Sequence, residues 1–454
     1  VNNRTAPILL LTFVNAIGGT LLIPVLPFVV RDLGRSDFVF ALLIAAYPAA
    51  QFFAAPLLGS IADNRGRKPV LIASQAGTLL SWILFGAAWF VDGDTALLFI
   101  AVSRIVDGLT GGNASVAAAY LADVTTAEER TRVFSLQGAV AGVALIIGPA
   151  LGAFSAATSI GFLGPAILAM VISAGTLLWM MLSLEESLTE ENRSESLDLN
   201  LLHQLNLISQ VRHLSARGPL LRLFSVQVLF TLTFGAYTTI VVLWYVDRLG
   251  VSETTAGLLL LAIGVFLVFN ELVTVRFAES KIGDLGTLVV GVCLLPIGFM
   301  LVRIPTSVLW FLPASFILNA GMAMVMPTLQ SLITQVADDR EEGAVQGVNT
   351  SMAAVASTAA PVAAGALYAA GGGETTLPII ALVAALTAIV LLFSAPMLAR
   401  ATGVEPRAAT DRPHGPVYTL AHRHGGGRRS FCLDLDGADQ VHHGLERRQP
   451  QPGP

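Results

Sequence analysis

Long apolar runs, broken by short polar or glycine-proline segments, fill most of this chain. A helix needs about 20 apolar residues to cross the hydrocarbon core of a bilayer. By that measure twelve segments qualify: 7–30, 38–61, 70–91, 96–121, 132–154, 161–184, 222–246, 254–277, 286–303, 308–330, 342–369 and 376–399. The first is too long for a signal-peptide core. It is interrupted by Pro24 and Pro27 and has no small-residue cleavage site, so it is expected to remain as a span.

The two halves match. Residues 7–184 and 222–399 are the same length, and both place an eight-residue link between their second and third segments, 62–69 and 278–285. Ala62-Asp63 and Gly66 are echoed by Ala278-Glu279 and Gly283, and Gln137-Gly138 with Pro149 by Gln346-Gly347 with Pro361. Such repeats predict two six-helix bundles with a path and a binding site between them near mid-membrane. With the N-terminus inside, up to Arg400 the inner segments carry fourteen Lys and Arg and the outer loops four, Arg31, Arg35, Arg248 and Arg303. Both termini are therefore predicted cytoplasmic, in a cell inner (plasma) membrane.

Composition agrees. Hydrophobic residues make up 54%, charged residues 13%, and the mean hydropathy is +0.72. A typical soluble domain has about 25% charged residues, so a soluble enzyme is excluded. A net charge of −5 without a basic face argues against nucleic-acid binding. Cys293 and Cys432 lie in an apolar run and a polar tail, which makes a structural disulfide improbable.

The expected organisation is all-α and membrane-integral: an N-terminal bundle (1–184), a linker (185–221), a C-terminal bundle (222–403) and a tail (404–454). Leu201, Leu205 and Ile208 have helical spacing, which predicts an amphipathic helix on the cytoplasmic membrane surface; a loose linker is the alternative. The tail holds five of the seven His, a Gly425–Gly427 run and no periodicity, so disorder is expected. Its His spacing fits no metal cage, and no metal site is predicted.

Residues 59–71 carry an ordered pattern: Gly59, Asp63, Arg65, Gly66, Arg67 and Lys68. Gly59 would let the helix end pack on a neighbour, and Asp63 would meet an Arg or a helix N-terminus. Gly66 would permit a tight turn, and the basic residues would reach anionic lipid headgroups. This string resembles the loop signature of the major facilitator superfamily. The resemblance covers residues 7–399, and it implies that Asp63, Gly66 and Arg67 gate inward and outward states. Asn64 stands where the family usually has a basic residue, and the second copy, Ala278–Asp284, is degenerate.

Away from the segment ends, the acids within the spans are Asp107 and Glu271. A charge at mid-bilayer costs about 3 kcal/mol or more and marks function by default. Arg104 and Asp107 share one face of the fourth segment, and Gly108, Gly111 and Gly112 follow, so a neighbour can approach closely. Arg104 through Gly108 resembles an element of proton-coupled members of the superfamily, which implies proton coupling at Arg104 and Asp107. A static salt bridge is the alternative. Glu271 is a further coupling candidate, and it could instead snorkel or pair with Arg276.

The fifth segment contains Gly138, Gly142, Gly148, Pro149 and Gly152. Proline and glycine there predict a bend and a close-packed face. The string resembles, in part, the antiporter signature of drug exporters: Gly148, Pro149 and Gly152 fit, while Ser135, Ala144 and Ala153 depart from it. Residues 103–153 and Asn15 through Pro27 resemble bacterial tetracycline efflux pumps. Asn15 replaces the Asp of those pumps, which puts tetracycline itself in doubt.

In the family the central spans are the first, fourth, seventh and tenth. Stripes at helical spacing there, Phe230, Phe234 and Tyr237 and then Asn319, Met322 and Met326, would suit greasy planar substrates, with Asn15 and Asn113 adding hydrogen bonds. Helix–helix core is the alternative for each residue. Only Lys68 and Lys281 exist, after Arg67 and Ser280, so no phosphate-binding Gly-Lys loop can form. No span contains a His, and only one Asp is buried deeply enough for protease chemistry.

The expected function is a monomeric secondary transporter without cofactor, using the proton gradient to export small hydrophobic drugs. A proton-coupled symporter for a nutrient, or a non-transporting membrane sensor or scaffold, are the alternatives.

Overall fold

The computed structural model describes residues 5–194, 218–337 and 342–402. The linker helix expected around Leu201, Leu205 and Ile208, and the tail from 404 onward, lie outside the described residues.

Among the described residues, nine helices are long and apolar enough to cross a bilayer, and one further span is a pair bent by 42°. Two of the nine are divided by glycines with positive φ, Gly283 (φ +70°) and Gly372 (φ +61°). The result is twelve membrane helices. They are α1 (Ala6–Leu21 and Leu26–Asp32), α2 (Asp37–Arg65), α3 (Arg67–Ala87), α4 (Gly93–Gly111 and Ala114–Asp123), α5 (Ala127–Ala156) and α6 (Leu163–Ser183). The second half is α7 (Gly218–Leu249), α8 (253–282), α9 (284–301), α10 (Val308–Val336), α11 (342–371) and α12 (373–401).

The breaks follow the sequence. Pro24 lies in the break of α1 and Pro27 in the first turn of its second segment, where proline removes a backbone donor. Thr126 and Ser252 cap α5 and α8 by accepting the N–H of Glu129 and Thr255, both at 3.4 Å. The eight-residue links expected at 62–69 and 278–285 are a single glycine each. The helices extend past their apolar segments until a residue with positive φ stops them, Gly66 (φ +105°) and Gly283 (φ +70°). The degenerate second copy of the loop has therefore kept its turn.

Helices α1 to α6 pack among themselves, as do α7 to α12, and the two groups meet through α5 with α8 and α2 with α11. These meetings are unequal along the helix axes. The end bearing Gly66–Lys68 is here termed the basic end, and the other the far end. In the far half, a methyl group on Gly257 (α8) would strike Ala153 and lie 3.2 Å from the Pro149 carbonyl oxygen. One on Gly264 would come within 3.1 Å of Ile146 in α5, and one on Gly365 (α11) would strike Ala41 in α2. On the basic side, a methyl group on Gly59 of α2, Gly138 or Gly142 of α5, or Gly347 of α11 would meet nothing within 4 Å among the described residues. Among the described residues, the two halves touch at the far end and stand apart at the basic end.

This corrects the expectation that Gly59 packs its helix end on a neighbour and that the whole α5 glycine series is close-packed. Gly148 and Gly152 alone of that series are packed, against Thr20 and the Leu21 backbone of α1. A Gly365→Val substitution forces α2 and α11 apart. Overpacking of this kind costs about 1–3 kcal/mol, so Tm in detergent should fall by several degrees; an unchanged Tm would contradict the contact.

Candidate functional site

Arg104 lies eleven residues into α4, about 17 Å along its axis at 1.5 Å per residue. Its Nη1 donates to Asp107 Oδ2 at 3.2 Å, and both side chains are buried. Ser81 of α3 spends its hydroxyl on the Thr78 carbonyl, at 2.8 Å. The Arg104 guanidinium sits 5.0 Å from the ring centre of Tyr47 in α2, a cation–π contact. Its Nε–H has no partner among the described residues. The pair thus holds a spare buried donor.

The glycines after Asp107 explain how Tyr47 reaches it. A methyl group on Gly108 would strike the Tyr47 carbonyl oxygen, one on Gly111 would lie 2.7 Å from the Tyr47 hydroxyl, and one on Gly112 would lie 2.8 Å from the Ala55 nitrogen. Small residues let α2 and α4 approach backbone to backbone.

Helix α4 then breaks between Gly111 and Ala114. A helix end inside a bundle leaves carbonyls without intrahelical partners. Gln51 donates to the Gly111 oxygen at 2.9 Å, and the Ser74 hydroxyl donates to the Thr110 oxygen. Asn113, at the break, is fully buried. Its Nδ2 donates to Ser74 at 2.9 Å, and its Oδ1 accepts from Asn15 Nδ2 at 2.8 Å. The two asparagines expected on the substrate path are thus joined directly, linking α1, α3 and α4.

The remaining path residues divide. Phe230, Tyr237, Asn319 and Met322 are buried, and Asn319 donates to the Ser315 carbonyl at 2.8 Å. Phe234 and Met326 are 40% and 54% exposed. Phe230 and Phe234 stack with centroids 6.0 Å apart. Each stripe therefore places one side chain in the open and the others in helix packing. Glu271 is exposed within a π-helical turn, Asn270–Val275, and no ion pair to Arg276 forms.

At the basic end Asp63 meets an Arg rather than a helix N-terminus: Arg67 Nη1 donates to it at 2.6 Å, and Arg67 Nε donates to Asp123 at 3.0 Å. Glu186, just past α6, accepts the backbone N–H of Arg67 at 2.9 Å and of Lys68 at 3.2 Å. It thereby fills the N-terminus of α3, where backbone N–H groups favour an anion. Arg65 is exposed. Sequence reasoning missed the roles of Glu186 and Asp123 here.

The far end carries a cluster that sequence reasoning also missed. Arg31 of α1 donates to Asp37 of α2 at 2.8 and 3.0 Å and to Asp247 of α7 at 2.8 and 3.1 Å. Tyr368 of α11 donates to Asp247 at 2.7 Å. Bidentate guanidinium–carboxylate pairs are the strong, directional kind, and this one ties the two halves together. A signal existed: Arg31 was one of only four basic residues in the far loops.

The comparisons agree with this geometry. The Major Facilitator Superfamily profile matches residues 8–361. The tetracycline resistance protein of class C from Escherichia coli is 29% identical over 81% of this chain and 90% of its own length. The class G protein from Vibrio anguillarum is 30% identical over 80% and 90%. Among solved structures, the human organic anion transporter MFSD10 aligns with a TM-score of 0.65 at 22% identity, covering 86% of this chain and 99% of that one. A peptide transporter, POT, aligns at 0.69 with 15% identity, over 88% and 95%. Both show the same fold.

Two substitutions test the two ends. Gly66→Ala puts a methyl group onto the Glu186 carboxylate at a backbone angle that side chains rarely adopt; transport should fall severalfold with expression retained, and wild-type transport would contradict the reading. Asp247→Asn weakens the far-end tie, so an Ala41→Cys reporter, buried in the wild type, should react with a maleimide several times faster; an unchanged rate would contradict it.

Twelve membrane helices, paired glycine-bearing bundles and a profile match over most of the chain lead to one conclusion: this multi-pass membrane protein belongs to the Major Facilitator Superfamily and is a transporter of small molecules, not an enzyme.

Proposed function

We propose that this transporter is a proton-driven antiporter that exports small hydrophobic drugs from the cell, working as a monomer in the inner membrane with both termini cytoplasmic. The basic end then faces the cytoplasm, and the described state is open inward. The halves expected at 1–184 and 222–403 would rock about the site, closing the basic end as the far end parts.

The observation that carries this reading is the buried Arg104–Asp107 pair. A carboxylate held by a single Arg contact, beside an Arg with an unused N–H, can exchange a proton when the pair is reset. Leaving either charge alone at this depth would cost about 3 kcal/mol or more, so protonation of Asp107 and release of Arg104 would be coupled events. The two open apolar side chains, Phe234 and Met326, and the neutral amide pair Asn15–Asn113 favour an apolar substrate with few polar groups. Relatives named for tetracycline resistance support export. The absence of an Asp at position 15 favours a compound other than tetracycline.

In everted vesicles, the wild type should accumulate hydrophobic dyes under an inward-acid gradient and stop when a protonophore is added. Asp107→Asn and Arg104→Ala should each reduce gradient-driven transport by about tenfold or more, in line with losing a buried charged partner. Gradient-driven transport by Asp107→Asn at the wild-type rate would remove the pair from the mechanism, and uptake in the opposite sense would identify a symporter.

A further inference from the structure

The Arg104 guanidinium has two partners of different kinds. Asp107 lies on the same helix, three residues on, and accepts from Nη1 at 3.2 Å. The Tyr47 ring lies on α2, its centre 5.0 Å from the guanidinium carbon. The first contact depends on the charge of Asp107, and the second does not. A ring face attracts a cation through its fixed quadrupole, most strongly where water is excluded. Here the Arg104 and Asp107 side chains are only 7% and 8% exposed.

Helix α4 fixes Tyr47 at both ends of the residue. A methyl group on Gly108 would strike the Tyr47 carbonyl oxygen and lie 2.7 Å from Ala50 Cβ. One on Gly111 would lie 2.7 Å from the Tyr47 hydroxyl and 3.2 Å from its ring. Interiors packed this closely leave a ring little freedom to leave. The helices that pack most heavily on this segment of α4 are α2 and α3. Between Asp37 and Asp63, α2 carries no charged residue, and α3 carries none beyond Lys68; Tyr47 is the one titratable side chain in those stretches. On α4 itself, Asp94 lies in the first turn and pairs with Arg35.

Helix α2 also meets the other half of the protein. Ala41, six residues before Tyr47, is where a methyl group on Gly365 of α11 would strike, and Asp37 holds the same Arg31 that binds Asp247 of α7. Whatever moves Arg104 against Tyr47 therefore acts on a helix of the contact between the halves.

When Asp107 takes up a proton, it loses its charge and most of its hold on Arg104. A lone guanidinium at this depth is costly, and a ring attracts a free cation more than one neutralised by a carboxylate. We propose that Tyr47 is a positioning residue for proton coupling: its ring holds the Arg104 guanidinium while Asp107 is protonated, so that the proton is accepted without expelling the arginine, and the change of partner is passed to α2. This rests on the proton-driven reading above and adds to it a residue on the helix that meets the other half.

A weaker ring makes the protonated state harder to reach, so more acid is needed to drive transport. The test uses the full chain in everted vesicles, with phenylalanine and its mono-, di- and trifluorinated forms placed in turn at position 47. Ring size changes little along this series while the negative face is progressively lost. Tyr47→Phe should stay within a few-fold of wild type. The proton concentration for half-maximal gradient-driven dye transport should then rise stepwise, by about tenfold at the trifluorinated form. Dye exchange without a gradient should keep the wild-type rate. A half-maximal proton concentration that ignores fluorination overturns the role of Tyr47, and so does a parallel loss of exchange, which marks packing alone. In either case wild-type transport that still needs the gradient and Asp107 leaves the proton-driven reading standing. Wild-type transport indifferent to the gradient contradicts that reading, and the role of Tyr47 falls with it.

Discussion

Close approach of two helices needs a small residue at the crossing, and the contact between the two halves of this protein is written in glycine. Gly257, Gly264 and Gly365 are filled from the opposite half, while Gly59, Gly138, Gly142 and Gly347 are empty. All seven lie on the four helices that pair across the halves. The filled ones mark where the halves meet and the empty ones where they have parted. Packed bundles are stiff because interiors are close to crystal density. Closing the empty set therefore strains the filled set, and the Arg31–Asp247 tie at the far end adds to that opposition.

Several polar groups within this frame satisfy one another. The break in α4 is tolerated because Gln51 and Ser74 take up the freed carbonyls. Asn15 and Asn113 satisfy one another. Other buried polar atoms have no partner among the described residues, and one of them, the Arg104 Nε–H, belongs to an ion pair inside the membrane. An unsatisfied charge at such a place ties conformational state to what is bound, because a state that buries it is accessible only once it is neutralised.

Much of this was legible in the sequence. Bilayer physics fixes helix length so tightly that twelve apolar runs gave twelve helices, and Gly66 was visible as a turn with Gly283 as its echo. Helix ends were less legible, since polar residues extend a helix past the membrane until a glycine stops it. The Arg104–Asp107 pair could be found because charge is rare at that depth. Its Tyr47 partner could not, since a tyrosine in an apolar run carries no signal until α2 is laid against Gly108 and Gly111. Side-chain stripes also overstated the path: periodicity identifies a face, and only the neighbouring helices decide that Phe234 and Met326 are open while Phe230, Tyr237, Asn319 and Met322 are not. The cluster of Arg31, Asp37, Asp247 and Tyr368 joins residues far apart in the chain, which no local pattern reveals.

The central claim is that the two halves exchange which end is open. Spin labels introduced by Gly59→Cys and Gly347→Cys on the basic side, and in a second protein by Asp32→Cys and Val251→Cys at the far end, would read both ends by pulsed electron resonance in nanodiscs. On adding a transported compound or lowering the pH, the first distance should shorten and the second lengthen. Distances that stay fixed at both ends, or that change together in the same direction, would contradict the account.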